Sequence, residues 1–421
     1  MEKVLGIIAE YNPFHNGHLY HLSESKKITG SKYSIAVISG NFTQRGSTSL
    51  VNKWVKTKMA LQSGIDLVIE LPLLYSISSA ENFAYGAINI LNSLNIVDYL
   101  SFGAEAKNIQ ILKDISNILY SEPEEFKSIL STELDKGLSF PKARQIALLN
   151  YIKSNNSYIS SDDLNNYTSV INSPNNILGI EYLKALKRLN SAIDPILINR
   201  FQSNYNDTSF TGNIASATSI RDTFKSNNIN QLSCVIPNNN LNLLLEELEK
   251  GHLVLDLSAF QKQILYNLRT MSINDLSNIA EVSEGLEFKL KKAALTSSSL
   301  DDLINSIKSK RYTLTRIQRM LLYVLLNVTK EDINISKKAQ PYIRVLGFNE
   351  NGRNLISKIS KSNPNLEIIT SVKSYMDISK NTTTKFMLEK DILATNIYTL
   401  AYSNDSFGNL DYTHNIIKWQ F

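Results

Sequence analysis

Two histidines stand three residues apart in residues 12–18, which read Asn-Pro-Phe-His-Asn-Gly-His and follow a strongly apolar run. On the first turn of a helix, residues three apart share a face. The free backbone N–H groups of that turn also form an anion site. Two imidazoles there can donate hydrogen bonds to an α-phosphate as charge develops in the transition state. The spacing therefore predicts a phosphate-handling turn with His15 and His18 as catalytic residues, and Gly17 leaving space for a nucleotide.

A second group of phosphate-binding side chains lies in residues 216–221, which read Ser-Ala-Thr-Ser-Ile-Arg and open a predicted helix. Hydroxyls, backbone N–H groups and a guanidinium suit the triphosphate tail of a nucleotide. Taken alone, the segment is equally well explained as a helix cap. Together with the histidine turn it favours phosphate binding, with Ser219 and Arg221 as contacts.

Two further features follow predicted strands. Residues 39–46 form a polar loop, and Lys53 and Lys58 lie in the next predicted helix, where basic groups could hold phosphates or RNA or simply face solvent. Gly103 follows a later strand, where it could let a ribose or an adenine approach the backbone or could serve as a plain turn residue.

The elements that must position these residues alternate between strand and helix in the first hundred residues. Apolar runs predict strands over 4–9, 33–39, 65–71 and 98–102, with amphipathic helices over 18–27, 53–63 and 80–94 between them. Uniformly apolar strands separated by helices indicate a parallel sheet buried on both faces. In such sheets ligands bind at the carboxyl ends of the strands, where the histidine turn would lie.

The rest of the chain is mostly helical. Another strand is predicted over 195–201, and long helical segments follow Pro237, with a small α/β element over 343–348 and 366–371. We therefore predict a Rossmann-like parallel-sheet nucleotidylyltransferase domain over 1–235. A mainly helical, basic C-terminal domain is predicted over 236–421.

Composition narrows the class of protein. The chain has 421 residues, 43% of them hydrophobic and 20% charged, as in globular proteins with more than one domain. No apolar run is long enough to span a bilayer, and no export signal is visible. A single cysteine, Cys234, and five histidines make a structural zinc site unfavourable and agree with a reducing cytoplasm. The net charge of +5 permits a polyanionic partner.

A collinear set of motifs gives the sequence a family resemblance. These motifs lie at residues 10–18, 44–46, 53–54, 66–72, 102–103, 174–179, 215–221, 308–313 and 344–348. In this order they resemble the bacterial tRNA(Met) cytidine acetate ligase family, within the superfamily of nucleotidylyltransferases that carry a His-x-Gly-His motif. The resemblance implies an enzyme that joins acetate to ATP as acetyl-adenylate. It then passes the acetyl group to N4 of the wobble cytidine of elongator tRNA(Met).

The resemblance also implies binding residues for ATP, with Mg²⁺ expected to accompany the triphosphate although no carboxylate cage for it is visible. The first set is continuous along the chain: Ile7, Ile8, Ala9, Glu10, Tyr11, Asn12, Pro13, Phe14, His15, Asn16, Gly17, His18, Leu19 and Tyr20. Further contacts are Gly103, Arg200 and either Asn175 or its neighbour Asn176.

A one-signed basic run lies in the predicted C-terminal domain. Lys308, Lys310 and Arg311 are followed by Tyr312, with Arg316 and Arg319 a turn or two further on. Such a run is often a solvated helix face. In a chain that must hold tRNA it predicts phosphate neutralisation by the first three residues, with Tyr312 able to stack on a splayed base.

Two other functions remain open at the level of sequence. One is a nucleotidylyltransferase that acts on a small metabolite, although such enzymes are usually shorter. The other is a non-catalytic RNA-binding protein on the same scaffold, although His15, Gly17 and His18 are all present. Pyrophosphate exchange that requires acetate would separate the three.

Overall fold

An eight-stranded sheet organises this computed structural model, which describes residues 2–155, 161–199, 213–226, 229–309, 311–404 and 406–420. Its strands are β1 (Val4–Ala9), β2 (Tyr33–Ser39), β3 (Leu67–Leu71), β4 (Tyr99–Ala104), β5 (Asp194–Asn199), β6 (Ile343–Phe348), β7 (Ile368–Ile369) and β8 (Ile417–Lys418). The order across the sheet is β5-β4-β1-β2-β3-β6-β7, and β8 pairs with β6. The strands from β5 to β3 are parallel, so their carboxyl ends share one edge, with β1 near the middle.

Helices cover this parallel part and separate its strands along the chain. They are α1 (Asn16–Thr29), α2 (Lys53–Gln62), α3 (Leu73–Ser76), α4 (Ala80–Ser93), α5 (Ile109–Ser121), α6 (Glu124–Asp135), α7 (Phe140–Asn155), α8 (Ser161–Asn172), α9 (Pro174–Arg188) and α10 (Ala217–Lys225). Every residue of β2 and β3 is buried, as expected for strands covered on both faces.

The region after α10 is mainly helical. Its α-helices are α11 (Asn238–Glu249), α12 (Gln261–Thr270), α13 (Ile273–Asn278), α14 (Leu286–Thr296), α15 (Leu300–Ile307), α16 (Leu314–Leu326), α17 (Lys330–Lys338), α18 (Glu350–Ser362), α19 (Val372–Ile378), α20 (Thr382–Tyr398) and α21 (Leu410–Thr413). Short 3-10 helices span Ile229–Cys234, Leu257–Phe260 and Thr399–Ala401. The central helix is α16: all its residues from 320 to 326 are buried, and the Tyr323 hydroxyl donates to the carbonyl of Ile77 at 2.9 Å.

The late strands return to the N-terminal sheet. β6 pairs antiparallel with β3, bringing Arg344 opposite Glu70. A buried ion network joins the two strands: Lys53 Nζ lies 3.0 Å from Glu70 and 2.6 Å from Asp411, and Arg344 contacts the same two carboxylates. Burial alone would raise the pKa of Asp411, but Arg344 and Lys53 hold that pKa far below its ordinary value. Separate parts of the chain are thus tied through charges that water does not reach.

These findings confirm the predicted fold class, a mixed α/β protein with a mainly parallel sheet followed by a helical region. They add that the expected small α/β element extends the main sheet through β6, β7 and β8. The division into domains at 235/236 stays a prediction. The suggestion that Lys53 holds phosphate or RNA is wrong, because its side chain is 1% exposed and paired with two carboxylates.

Candidate active site

The two histidines of the turn are held by each other and by the start of α1. His15 is the N-cap residue, and its Nδ1 accepts the backbone N–H of Gly17 at 3.0 Å. His18 Nδ1 accepts the backbone N–H of His15 at 3.2 Å, which completes a capping box. Because Nδ1 is the acceptor in both rings, each neutral imidazole carries its proton on Nε2. The ring centroids are 3.8 Å apart, so the capping box places the two rings, each with an Nε2–H donor, side by side.

Gly17 is required by this arrangement. A Cβ at position 17 would lie 2.8 Å from His15 Cε1 and 3.0 Å from Nδ1. Any side chain there would push the His15 ring out of its cap. The sequence prediction gave Gly17 a role toward the nucleotide, whereas the structure gives it a role toward His15 as well.

The turn before the helix is anchored from the neighbouring loop. Asn12 donates from Nδ2 to the carbonyl of Thr48 at 2.9 Å and accepts the Leu50 N–H at 2.7 Å. Tyr11 has a φ of 45°, a left-handed conformation that bulky residues seldom adopt. The carboxyl end of β1 is therefore fixed before α1 begins.

A cavity of about 260 Å³ opens at this edge of the sheet, beside the histidine turn. Most of the predicted ATP residues line it: Ile7, Ile8, Ala9, Glu10, Tyr11, Asn12, His15, Gly17, His18, Tyr20, Gly103, Asn175 and Arg221. Five predicted residues do not line it: Pro13, Phe14, Asn16, Leu19 and Ser219. Arg200 lies outside the described residues.

Residues outside the lining support the turn instead. Phe14 is fully buried, and the backbone N–H of Asn16 donates to the carbonyl of Val235 at 2.9 Å. The Asn16 amide also donates to the carbonyls of Asn213 and Cys234, each at 3.0 Å. These contacts hold the start of α1 against the segments that precede α10 and α11.

The 216–221 segment contributes the helix-capping residue Ser216 and the guanidinium of Arg221 to the cavity wall. Ser216 caps α10 by accepting the Ser219 N–H at 3.0 Å, and the Ser219 hydroxyl donates back to the carbonyl of Ser216 at 2.9 Å. Ser219 is 2% exposed, so its hydroxyl serves the helix start. Arg221 donates from Nη1 to the carbonyl of Asn12 at 2.8 Å, which holds the guanidinium beside the histidine turn. An ATP contact by Ser219 stays a prediction, and Ser216, Ala217 and Arg221 are the residues of this segment on the cavity wall.

The neighbouring asparagines divide two roles between them. Asn175 lines the cavity, and its Nδ2 donates to Glu105 at 2.6 Å. Asn176 is 1% exposed; its Oδ1 accepts the backbone N–H groups of Glu105 and Ala106, and its Nδ2 donates to the carbonyl of Val170. Of the two, Asn175 faces the cavity and Asn176 holds the loop after β4.

The loop after β2, which the sequence offered as able to hold phosphates or RNA, brings Thr43, Gln44 and Arg45 to the wall, and Ser47 just after it also lines the cavity. Sequence reasoning missed other lining residues, which are His21, Phe83, Phe102, Leu178 and Tyr182. His21 could have been found, because it lies three residues after His18 on the same helix; its Nε2 is 2.9 Å from the Ser101 hydroxyl. The aromatic residues come from different elements, and no local pattern connects them.

A buried lysine lies behind this wall. Lys56 of α2 is fully buried, and its ammonium donates to the carbonyls of Ser39 and Gly40 at 2.6 Å each. It also donates to the carbonyl of Glu10 at 3.0 Å and to the Ser49 hydroxyl at 2.9 Å. Burial lowers the pKa of Lys56 to about 7, against the opposing effect of the Glu10 and Glu70 carboxylates. One cation thus ties the carboxyl ends of β1 and β2 together.

The predicted tRNA-contact cluster lies between α15 and α16. Lys308 is exposed, Arg311 is about half exposed with Nε 3.3 Å from Glu284, and Lys310 lies outside the described residues. The suggestion that Tyr312 stacks on a base is wrong in this structure, because Tyr312 is 9% exposed and lies under the Arg316 guanidinium.

Helix α16, which follows this cluster, contacts the loop after β2. Arg319 forms a bidentate ion pair with Glu281, in which Nε and Nη2 each lie 2.9 Å from one oxygen of the Glu281 carboxylate. A Cβ on Gly46, which has a φ of 74°, would lie 2.4 Å from the Arg319 backbone nitrogen. The loop that carries Gln44, Arg45 and Ser47 is therefore packed directly on α16.

A parallel sheet with a His-x-Gly-His turn after its first strand defines a class of nucleotidylyl-transferring proteins. The model of the family described as HIGH Nucleotidyl Transferase matches residues 2–411. Within that class, the chain belongs to the tRNA(Met) cytidine acetate ligase family.

Both sequence and structure comparisons support this membership. A tRNA(Met) cytidine acetate ligase of Acetivibrio thermocellus is 44% identical over 423 residues, and one of Thermoanaerobacter sp. (strain X514) is 45% identical over 415 residues. Each alignment covers 99% of both chains. The crystal structure of apo Thermotoga maritima TmcAL aligns with a TM-score of 0.93 at 33% identity, and TmcAL bound with alpha-thio ATP aligns with 0.91 at 32%. Both alignments cover 99% of each chain.

Metal and membrane features complete the description. Among the described residues, no group of three or more His, Cys, Asp or Glu side chains is placed to hold a metal ion. In that part of the chain, no helix combines the length and apolar character needed to cross a bilayer.

Proposed function

We propose that this protein uses ATP to activate acetate as acetyl-adenylate and then transfers the acetyl group to N4 of the wobble cytidine of elongator tRNA(Met). The observation that carries the proposal is the capping box at residues 15–18, which places His15 and His18, each with an Nε2–H donor, together with Arg221 on the wall of a cavity of about 260 Å³. Membership in the ligase family and similarity to a structure bound with alpha-thio ATP support the choice of reaction and of ATP.

The hydrogen-bond donors of the histidine turn suit the first step of the proposed reaction. An acetate oxygen attacks the α-phosphorus of ATP, and the bond to pyrophosphate breaks. Negative charge that develops on the α-phosphoryl oxygens is stabilised by the Nε2–H groups of His15 and His18. Acetate then has a good leaving group, AMP, so the reaction needs no enzyme nucleophile. This agrees with Cys234, which is exposed and does not line the cavity.

Mg²⁺ is proposed to arrive with the triphosphate. Mg²⁺ keeps several waters and commonly binds proteins through one or two carboxylates plus substrate phosphates. Glu10 is the one carboxylate among the described residues that line the cavity. The donor set therefore fits an ion held mainly by phosphate oxygens and water, where it would neutralise charge on the triphosphate.

Pyrophosphate exchange into ATP tests the proposal directly. The wild-type protein is expected to exchange labelled pyrophosphate only when acetate is present, and to form N4-acetylcytidine in a tRNA(Met) transcript. A transcript with uridine at the wobble position should remain unmodified. Exchange that ignores acetate would point to another adenylylated substrate, and the absence of any exchange would point to a non-catalytic scaffold.

The two adjacent asparagines give a matched test of the ATP site. Asn175→Ala is expected to raise the KM for ATP about tenfold with little loss of stability, because it removes a polar group from the cavity wall. Asn176→Ala is expected to lower the free energy of unfolding by about 2–3 kcal/mol, because it leaves buried backbone groups without partners. Steady-state exchange kinetics and urea unfolding measure the two effects. The reverse pattern would exchange the roles of the two residues.

The reaction is proposed to take place in the cytoplasm, where tRNA is modified. The tRNA is proposed to bind through Lys308, Lys310 and Arg311. The contact between Gly46 and α16 supports this position, because the helix that follows the cluster also packs on the loop after β2. A ligand held at the start of α16 would thus lie on a helix that packs against a loop of the cavity wall.

Neutralising the cluster is expected to change tRNA binding specifically. The triple variant Lys308→Gln, Lys310→Gln, Arg311→Gln should bind tRNA more weakly, and its salt dependence should flatten by about one unit of slope for each phosphate that is no longer neutralised. A filter-binding titration across salt concentrations measures both. The control neutralises Lys127, Lys136 and Lys142, which removes the same charge from exposed positions in and around α6 and α7. Equal effects in the two variants would leave the cluster as ordinary surface.

A further inference from the structure

Glu10 occupies an unusual electrostatic position. The described cavity wall carries His15, His18, Arg45 and Arg221, which suit anionic substrates, and Glu10 is the one carboxylate among them. A carboxylate at this place opposes the binding of both ATP and acetate, since like charges repel. Apart from a contact with Mg²⁺, a carboxylate at this place can contribute favourably to a step in which an uncharged amine reacts.

Glu10 is held both at its backbone and at one carboxylate oxygen. It follows β1 directly, and its Oε1 accepts the backbone N–H of Gln44 at 2.9 Å. Gln44 is itself held by a hydrogen bond from its side chain to the carbonyl of Ser78 at 3.1 Å, and the Glu10 carbonyl accepts from Lys56. One carboxylate oxygen is thus anchored, on a residue that lines the cavity.

The second half of the proposed reaction needs a proton acceptor. The exocyclic N4 of cytosine is a weak nucleophile because its lone pair is delocalised into the ring. As that lone pair forms a bond to the acetyl carbonyl carbon, the carbonyl π electrons move to oxygen and N4 becomes strongly acidic. Removal of one N4 proton lets the tetrahedral adduct collapse, with cleavage of the carbon–oxygen bond to AMP. The balance is acetyl-adenylate plus cytidine giving N4-acetylcytidine, AMP and one proton.

We propose that the Glu10 carboxylate is the general base that takes this proton through Oε2 and then releases it to solvent. The inference rests on the proposed function and adds a catalytic residue to its second step. The proposal also assigns the two steps of the reaction to different residues. The histidine turn acts on the phosphoryl group, and Glu10, which follows β1 directly, acts on the incoming amine. A positioned base of this kind contributes about 10²–10⁴-fold.

The test uses preformed acetyl-adenylate and a tRNA(Met) transcript in single-turnover reactions without ATP. Glu10→Gln and Glu10→Ala are expected to slow acetyl transfer by about 10²–10³-fold. Added formate should restore part of the rate in Glu10→Ala, where it can fill the vacated space, and none in Glu10→Gln, where the amide fills it. Glu81→Gln, which neutralises a largely exposed glutamate on α4, serves as the charge control.

Acetate-dependent pyrophosphate exchange in the same variants separates this role from others. The loss in transfer should exceed any loss in exchange by at least about tenfold. Equal losses in the two assays would place Glu10 at ATP or Mg²⁺ and overturn the assignment, as would near-normal transfer in Glu10→Gln. A defect in Glu10→Ala that formate leaves unchanged would reduce Glu10 to a positioning residue. If wild-type protein fails to acetylate the tRNA, the proposed function itself fails, whatever Glu10 does.

Discussion

Replacing either histidine of the turn with alanine is expected to lower acetate-dependent pyrophosphate exchange by about two to three orders of magnitude. Each substitution removes one Nε2–H donor from the position where charge develops on the α-phosphate, and the removal of one such donor typically has this effect. Initial rates of exchange at saturating ATP and acetate measure it. The decrease should appear in kcat more than in KM, because the donors act mainly in the transition state.

The structure also shows which controls this experiment needs. His15 is 3% exposed and caps α1, so His15→Ala also removes a cap worth about 1 kcal/mol. His15→Asn keeps an acceptor for the helix N–H groups, and His18→Gln keeps the acceptor for the His15 N–H, as in an ordinary capping box. Both variants should fold like the wild type and still have greatly reduced exchange. Near-normal exchange in these two variants would assign the histidines to capping alone.

Lys56→Met is expected to lower the free energy of unfolding by about 3 kcal/mol or more. The methionine side chain has a similar length but donates no hydrogen bond. The buried carbonyls of Glu10, Ser39 and Gly40 would each be deprived of a donor, and an unsatisfied buried group costs about 1–3 kcal/mol. Urea unfolding followed by circular dichroism measures the change. Lys26→Met, at a partly exposed lysine of α1, is the matched substitution and should cost much less.

The same variant has a predictable dependence on pH. Because the pKa of Lys56 is lowered to about 7 in the folded protein, the unfolded chain binds more protons between that value and the ordinary pKa near 10.5. The contribution of Lys56 to stability therefore rises as pH increases from about 7 toward 10. The difference in unfolding free energy between wild type and Lys56→Met should grow between about pH 7 and about pH 9. A difference that stays constant over this interval would mean that Lys56 remains a fully charged ammonium in the folded protein.

The parallel sheet and the histidine turn could be predicted from the sequence for a clear physical reason. Strands buried on both faces appear as unbroken apolar runs, and the predicted bounds of β1 and β2 agree with the structure. The spacing of His15, Gly17 and His18 depends only on helix geometry, which is local. Local geometry also places a turn at the carboxyl end of a parallel strand, where the cavity is found.

The errors have a common cause, which is that local pattern does not show which way a polar residue faces. Lys53 lies on a helix next to a loop with phosphate-binding character, yet it is buried against the carboxylates of Glu70 and Asp411. Tyr312 stands among cations in sequence but packs beneath one of them. The pairing of β6 with β3 could not be predicted at all, because it joins strands separated by most of the helical region.

That long-range pairing has a consequence for how the protein is made. When the ribosome has synthesised residues 1–235, β3 can pair with β2 but lacks β6 on its other side, and Lys53 and Glu70 still lack Arg344 and Asp411. An emerging chain thus carries an open strand edge and an incomplete ion network, with only the Lys53–Glu70 pair in place, until the last helices and β6 have left the exit tunnel. Domains usually fold in the order of their synthesis. Here the edge of the N-terminal sheet is completed only by β6 and Asp411, so we expect a chain terminated before β6 to be a substrate for chaperones and proteases rather than a small working enzyme.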